Sequence, residues 1–310
     1  MKYSIVFPGQ GSQSIGMLSD LSSNFPIVNE IFQEASDALE VDLWKIAQED
    51  QEALNLTENT QPIMLASGYA TYKVLSNEVK LSPVCMAGHS LGEYTALVAS
   101  KSLNFFDAVK LVRRRAELMQ SAVPTGAGSM AAILGLDDDE KIIEICTQAS
   151  DVGIVEAVNF NSPGQVVIAG EKKAVAYACE LMKEAGAKRA LVLPVSVPSH
   201  CTLMTDAAKE FKASIEVSNV QLGNVRVIHN VDAETANDTN QIKSNLVEQL
   251  YKPVLWTLTV RKMKKLGIER LIETGPGKVL AGLTRRIHKS LSGAAIIDTA
   301  TLKSTIEEIS

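Results

Sequence analysis

The stretch from Val84 to Ala99 constrains the fold more than any other part of the chain. It begins as a short apolar run that fits a buried strand, and a helical pattern starts at Leu91. Between the two lies the sequence GHSLG (88–92), a G-x-S-x-G pattern on a predicted strand-to-helix turn. The glycines let strand and helix pass closely, so the turn can push the Ser90 hydroxyl outward. Free N–H groups at the helix start suit an oxygen that gains negative charge. We interpret Ser90 as a nucleophile.

An ordinary helix cap is the competing interpretation of this turn. Ser90 and Glu93 also spell S-x-x-E, the capping box that begins many helices. A cap requires neither flanking glycines nor a buried strand that leads directly into it, whereas a nucleophile on a sharp turn has both. The setting therefore favours the nucleophile, and the cap stays as the alternative.

The bulk properties exclude several classes of protein. With 310 residues, the chain is long enough for one large domain or two smaller ones. Its formal charge of −6 argues against a general nucleic-acid surface. No apolar run approaches the roughly 20 residues that span a bilayer, and the chain enters its first strand without a signal-peptide pattern. We expect neither a nucleic-acid nor a membrane partner.

The cysteines indicate a reducing compartment. They lie far apart in the sequence and form no C-x-x-C pair: Cys85, Cys146, Cys179 and Cys201. This spacing argues against a disulfide framework and against a structural zinc site. We expect a cytoplasmic enzyme or binding protein with no metal and no organic cofactor.

The alternation of strands and helices predicts an α/β fold with a mostly parallel sheet. The first predicted strand, Tyr3–Phe7, runs into the glycine-rich loop PGQGSQ (8–13). A loop in this position either contacts a ligand or makes a tight connection, and the sequence leaves both open. It is not a phosphate loop, because the G-K-[ST] ending is missing.

Arg115 stands out in the predicted helix Phe105–Gln120. At about 100° per residue, it falls inside the apolar sector of the helix. A guanidinium there is costly unless it meets an anion. The anion is either an internal carboxylate, which makes a structural ion pair, or the carboxylate of a ligand, which a planar bidentate fork suits. Alternatively, Arg115 lies at the edge of the sector and extends its guanidinium to water.

The segment 124–196 reads as a small inserted domain. Its predicted order is β-α-β-β-α-β, the ferredoxin-like unit, and about 70 residues suffice to form it. The residues on either side, 1–123 and 197–310, are expected to form a large α/β-hydrolase-like domain. A cleft should separate the two.

His200 lies where the chain leaves this insertion, after the extended segment PVSVP (194–198). A histidine at the rim of an inserted domain is well placed to face the cleft. The alternative is a structural role, which is usual for an isolated histidine. Cys201 lacks a turn comparable to that of Ser90, so we interpret it as a packing residue.

Six sequence blocks, in order, resemble those of malonyl-CoA:acyl carrier protein transacylases of bacterial fatty acid synthesis. The resemblance covers nearly the whole chain. The blocks are FPGQGSQ (7–13), AGHSLGEY (87–94), NFNSPGQVVIAG (159–170), PVSVPSHC (194–201), QLYKPVLW (249–256) and GPGKVL (275–280). A single G-x-S-x-G would be weak evidence, whereas six ordered blocks are strong.

The resemblance implies a ping-pong acyl transfer. Ser90 would attack the thioester of malonyl-CoA, with His200 as general base, and the thiol of acyl carrier protein would then attack the malonyl–serine ester. The main-chain carbonyl of Gln249 would orient His200 in place of an aspartate.

The resemblance also implies the residues that hold the substrate. The backbone N–H groups of Gln10 and Leu91 would form the oxyanion hole, and Arg115 would bind the malonyl carboxylate. His229 precedes Asn230 where relatives are expected to have another asparagine.

Acyl carrier protein is the expected macromolecular partner, and the chain is expected to be a monomer. Because both proteins would be acidic, docking should use a local basic patch, for which we suggest Lys188, Arg189, Lys278, Arg285 and Arg286.

Two other functions compete with acyl transfer. An α/β-hydrolase-type esterase would use the same serine and histidine with an acidic residue between them in the chain. A non-catalytic binding protein would use Ser90 only as a cap and Arg115 only in an internal pair. The second requires Ser90, His200 and Arg115 to be separate coincidences.

Overall fold

The computed structural model describes residues 1–195 and 197–310. Ser196, the last residue of the predicted insertion, lies outside the described residues. The described chain forms an α/β structure with two separate sheets.

The larger sheet is parallel. Within the described residues its strands are β1 (Tyr3–Phe7), β2 (Met86–Gly88), β7 (Val227–Ile228), β8 (Arg270–Thr274) and β9 (Ser292–Ile296). They lie in the order β7-β2-β1-β8-β9, and all their pairings are parallel. Every residue of β1 is buried, as expected for a central strand covered on both faces. The predicted parallel α/β sheet is confirmed.

Helices cover both faces of this sheet. They are α1 (Ser19–Asn24), α2 (Ile27–Leu39), α3 (Leu43–Glu49), α4 (Gln51–Asn55), α5 (Thr57–Glu78), α6 (Gly92–Ala99), α7 (Phe105–Ser121), α10 (Thr205–Glu216), α11 (Thr239–Glu248), α12 (Trp256–Lys265), α13 (Val279–Ile287) and α14 (Thr299–Ile309). A short 3-10 turn, Thr202–Met204, precedes α10. None of the helices in the described ranges is both long and apolar enough to span a membrane.

The smaller sheet is antiparallel and lies between α7 and α10 in the chain. Its strands are β3 (Gly128–Leu134), β4 (Val155–Ser162), β5 (Gln165–Glu171) and β6 (Arg189–Val192), in the spatial order β4-β5-β3-β6. The helices α8 (Asp139–Ala149) and α9 (Lys172–Glu184) complete the predicted order β-α-β-β-α-β. This unit has its own apolar cluster, which includes Ile133, Ile142, Val166 and Val175.

Backbone hydrogen bonds join β4 of the smaller unit to the segment just before α12. The Val254 N–H donates to the Val158 carbonyl at 2.8 Å, and the Phe160 N–H donates to the Val254 carbonyl at 3.0 Å. The Thr257 hydroxyl adds a bond to the Phe160 carbonyl at 2.9 Å. This junction fixes the smaller unit beside the carboxyl ends of β1 and β2, where parallel sheets place their ligand sites.

Candidate active site

The turn that carries Ser90 has the geometry that its glycines predict. Ser90 adopts φ 51°, in the left-handed region that non-glycine residues rarely occupy. A Cβ on Gly88 would lie 1.8 Å from the Gly92 carbonyl carbon, and a Cβ on Gly92 would lie 2.1 Å from the Phe7 carbonyl oxygen. Only glycine fits at both positions, because β1, β2 and α6 meet there. The turn therefore presents a strained serine at the end of a buried strand.

The capping alternative for Ser90 is wrong. No side chain caps the start of α6, and the Ser90 N–H donates to Asn230 Oδ1 at 2.7 Å. The Ser90 hydroxyl instead lies 2.8 Å from His200 Nε2. The serine side chain is directed to a histidine that lies 110 residues further along the chain.

His200 is held as a neutral base. Its Nδ1 lies 2.6 Å from the main-chain carbonyl oxygen of Gln249, which can only accept a hydrogen bond. Nδ1 therefore carries the proton, and the lone pair of Nε2 faces the Ser90 hydroxyl. Burial, together with the nearby Arg115 charge, lowers the pKa of His200 to about 3. At neutral pH the ring is uncharged and free to accept a proton.

Arg115 is buried with 1% of its surface exposed. Its Nη1 donates to Gln61 Oε1 at 2.8 Å, and its Nη2 donates to Gln249 Oε1 at 3.0 Å and to Ser90 Oγ at 3.2 Å. The Tyr94 ring lies 5.5 Å from the guanidinium carbon. Among the described residues, no carboxylate forms an ion pair with it, so the predicted alternative of an internal ion pair is wrong. A buried guanidinium with only neutral hydrogen-bond partners is chemically suited to bind an anion.

A cavity of about 510 Å³ lies above these three residues. The first glycine loop contributes Gln10, Gly11 and Gln13 to its wall, and Leu91 lies beside Ser90. Within the described parts of the chain, neither the Gln10 nor the Leu91 backbone N–H has a hydrogen-bond acceptor. The smaller unit closes the opposite side with Met130, Asn159, Leu193, Pro194 and Val195.

Two residues next to this cluster in the sequence are Cys201 and His89. Cys201 is fully buried and donates to the Pro198 carbonyl oxygen at 3.1 Å. Burial raises the pKa of its thiol to about 12, so the thiol stays protonated and packs as expected. His89 Nε2 lies 2.8 Å from Asn161 Oδ1, on β4. This bond ties the residue before the nucleophile to the smaller sheet.

A buried polar network behind Ser90 was not found by sequence reasoning. The Glu93 carboxylate is fully buried and accepts hydrogen bonds from the His229 ring at 2.7 Å, from the Asn230 N–H at 3.0 Å and from Gln249 Nε2 at 2.8 Å. The only sequence signal was the departure from the expected pattern at His229. Glu93 itself had been assigned to the capping alternative.

Comparisons with known proteins agree with this geometry. Residues 4–304 match the family model of acyl transferase domains. The chain is 52% identical over 308 residues to the malonyl CoA-acyl carrier protein transacylase of Haemophilus influenzae, covering 99% of this chain and 98% of that protein. It is 48% identical over 307 residues to the Escherichia coli K12 protein of the same name, covering 99% of both.

Solved structures extend the likeness to the fold. An acyl carrier protein S-malonyltransferase from Vibrio cholerae superposes with a TM-score of 0.96 at 51% identity, covering 98% of this chain and 100% of that one. A malonyl-transacylase in complex with a type II polyketide synthase acyl carrier protein superposes with a TM-score of 0.98 at 48% identity, covering 99% and 100%. The hydrogen-bonded Ser90–His200 pair, the buried Arg115 beside it and these matches over nearly the full length agree. The chain belongs to the malonyl CoA-acyl carrier protein transacylases of the acyl transferase family.

Proposed function

We propose that this chain moves the malonyl group of malonyl-CoA to the phosphopantetheine thiol of acyl carrier protein, through a malonyl ester on Ser90. The observation that carries the proposal is the position of Arg115. A buried guanidinium without a carboxylate partner lies 3.2 Å from the Ser90 hydroxyl, so the acyl group that reaches this serine should itself bear an anion.

The first half-reaction begins at the Ser90–His200 hydrogen bond. Ser90 Oγ attacks the thioester carbonyl carbon while His200 Nε2 takes the hydroxyl proton. The negative charge that develops on the carbonyl oxygen is stabilised by the backbone N–H groups of Gln10 and Leu91. When the C–S bond breaks, the leaving thiolate takes the proton from His200, and CoA departs as a thiol.

The second half-reaction runs through the same groups in reverse. The thiol of acyl carrier protein gives its proton to His200 Nε2, and its sulfur attacks the ester carbonyl carbon. The C–O bond to Ser90 then breaks, and Oγ recovers the proton from the imidazolium. The Gln249 main-chain carbonyl holds the ring in one orientation throughout.

Arg115 supplies the selection between acyl groups. A malonyl carboxylate would satisfy the guanidinium, whereas an acetyl group would leave a buried charge without a counter-ion. The same contact would hold the ester in a fixed position, and the walls of the cavity limit access by water.

The proposal includes the finer architecture predicted from sequence. A hydrolase-like large domain, 1–123 and 197–310, and a ferredoxin-like small domain, 124–196, would enclose the cavity. The separate apolar clusters and the strand order of the smaller sheet support this division. We also propose that the protein is a monomer in the cytoplasm.

Docking of acyl carrier protein is assigned to the basic patch, defined as Lys188, Arg189, Lys278, Arg285 and Arg286. All five side chains are exposed. Reversing two of these charges, as in Arg189→Glu with Arg285→Glu, should raise KM for the carrier protein and leave KM for malonyl-CoA unchanged. Equal changes for both substrates would contradict this docking site.

The first experiment is intact-mass measurement after mixing the protein with malonyl-CoA in the absence of an acceptor, beside the Ser90→Ala variant. A malonyl adduct on the wild type alone, discharged by holo acyl carrier protein, supports the proposal and identifies the nucleophile. Free malonate that accumulates without an adduct would identify a hydrolase-type esterase. Neither adduct nor malonate would identify a binding protein and overturn the transferase.

A further inference from the structure

Glu93 is a buried carboxylate that the reaction itself does not use. It lies on α6, one turn after Ser90, with none of its surface exposed. Its Oε1 accepts from the His229 ring, and its Oε2 accepts from the Asn230 N–H and from Gln249 Nε2. Every donor comes from a segment more than 130 residues away along the chain.

The contact with Gln249 fixes the orientation of an amide. A carboxylate only accepts hydrogen bonds, so the NH₂ end of the Gln249 side chain must face Glu93. The amide oxygen therefore faces Arg115, whose Nη2 donates to it at 3.0 Å. The main-chain carbonyl of the same residue holds His200. Gln249 thus contacts both the base and the guanidinium. Glu93 and the Ser90 carbonyl, which accepts from the same Nε2 at 3.0 Å, together fix which way its side chain points.

The contact with Asn230 reaches the nucleophile. While its N–H donates to Glu93, the Asn230 side chain accepts from the Ser90 N–H at 2.7 Å and donates to the Gly88 carbonyl at 2.7 Å. These two bonds span the strained turn on which Ser90 adopts φ 51°. Glu93 therefore contacts two residues, Asn230 and Gln249, that themselves contact the nucleophile, the base and the guanidinium.

We propose that Glu93 is a positioning residue, which acts through the Gln249 amide and Asn230 to hold Ser90, His200 and Arg115 in one reactive arrangement. It touches no substrate. The inference rests on the proposed function for its substrates, but the geometry that it explains is independent of them.

Glu273 offers a matched control. It is also a fully buried glutamate, on β8, and its Oε2 accepts from the Ala281 N–H at 2.8 Å near the start of α13. Burial raises its pKa to about 7, so the amide in Glu273→Gln resembles the protonated carboxyl. Glu273 does not line the cavity. Both substitutions replace a buried carboxyl group with an amide, but only Glu93 is next to Gln249.

The first test compares Glu93→Gln with Glu273→Gln. In Glu93→Gln, the side chain loses its negative charge and one of its two acceptor oxygens, so its hydrogen bonds to Asn230 and Gln249 weaken. We expect kcat/KM for malonyl-CoA to fall about 10- to 100-fold, with a loss in kcat and a smaller ratio of malonyl to acetyl transfer. Glu273→Gln should stay within about twofold of the wild type in both quantities. Equal kinetics in the two variants would overturn the proposal.

The second test separates positioning from general support of the fold. If Glu93 acts through the Gln249 amide, then Glu93→Gln should lower kcat/KM by no more than about threefold in a Gln249→Leu background. Fully additive losses would show that Glu93 does not act through the Gln249 amide and would overturn the proposal. Gln249→Leu keeps the main-chain carbonyl and is informative alone: should Glu93→Gln fail to fold, unaltered kinetics in Gln249→Leu would overturn the proposal equally.

A third measurement keeps this inference apart from the proposed function. Phenylmethanesulfonyl fluoride modifies an activated serine whatever the natural acyl donor is, and intact mass follows the modification. The rate of labelling at Ser90 should fall in Glu93→Gln and not in Glu273→Gln. Failure of the wild type to accept malonyl-CoA would overturn the function but leave this result valid, whereas equal labelling rates in both variants would overturn the positioning role.

Discussion

Two buried histidines lie behind the same turn, and they differ in the oxygen that each one binds. His200 Nδ1 lies 2.6 Å from a main-chain carbonyl, that of Gln249. His229 Nδ1 lies 2.7 Å from a carboxylate, that of Glu93. Of the two rings, the one with the neutral partner faces the nucleophile. The acidic residue that a Ser–His–Asp triad would place on the base is thus on the other histidine.

The difference follows from the presence of Arg115. A carboxylate bonded to His200 would lie close enough to pair with the guanidinium, and it would then compete with the carboxylate of a malonyl group. The structure interposes the Gln249 amide between Glu93 and Arg115. The fold keeps one negative charge near the buried cation without occupying its donors. In the proposed reaction, His200 has no carboxylate partner, and Arg115 can therefore bind the carboxylate of the malonyl group.

The largest effect is expected when the His200 imidazole is removed. His200→Ala removes the acceptor of the Ser90 proton, so kcat/KM should fall about 10³- to 10⁴-fold. His229→Asn keeps a side-chain N–H that can face Glu93, and we expect a loss of less than about tenfold. Steady-state transfer of malonyl to acyl carrier protein measures both. Similar losses in the two variants would contradict the assignment of His200 as the only base.

The next largest effect is expected from removing Arg115, which donates to Ser90 and to Gln249. Arg115→Met should lower kcat/KM for malonyl-CoA by about 10²- to 10³-fold, because a substrate carboxylate would be buried without a partner. Transfer from acetyl-CoA should not fall. Arg113→Met is the matched control, since Arg113 lies on the same helix and pairs with Glu117 and Glu58 at the surface. Parallel losses with both acyl donors would show that Arg115 has a structural role only.

The sequence predicts the site where its signals are local. The Ser90 turn is recognisable from five consecutive residues, GHSLG (88–92). The position of Arg115 in an apolar sector follows from helical periodicity. The Glu93 network could not be found in the same way, because its partners are more than 130 residues distant and Glu93 also fits a local capping pattern. Only the assembled tertiary structure decides which role the carboxylate has.

The fold shows the same limit. The order of elements in the smaller unit was predictable from alternating patterns and turn residues. The strand β9 and the helix α14 are not among the predicted elements, because residues 290–310 carry little periodic pattern. The β9 sequence SGAAI consists largely of small residues, and it is a strand because it pairs in parallel with β8.

The burial of His200 also predicts how the stability of the fold depends on pH. Because the pKa of His200 falls from 6.5 to about 3 on folding, the unfolded chain binds one more proton than the folded chain between these values. The stability that this group contributes is present above pH 6.5 and is lost as the pH falls below it, by up to about 1.4 kcal/mol per pH unit. Urea unfolding between pH 7 and 4.5 should show a shallower loss for His200→Gln than for the wild type. Identical slopes would mean that His200 is not buried in its neutral form.

Glu273 acts on stability with the opposite sign. Its pKa rises from 4.5 to about 7 on folding, so the folded chain binds the extra proton, and the contribution is lost as the pH rises through this range. Glu273 therefore offsets the His200 contribution between pH 4.5 and 6.5. Removing it in Glu273→Gln should steepen the loss of stability on acidification, while His200→Gln makes the loss shallower. Measured in the same urea series, a change of slope in the same direction for both variants would contradict the opposed assignments, since one buried group is held neutral by losing a proton and the other by keeping one.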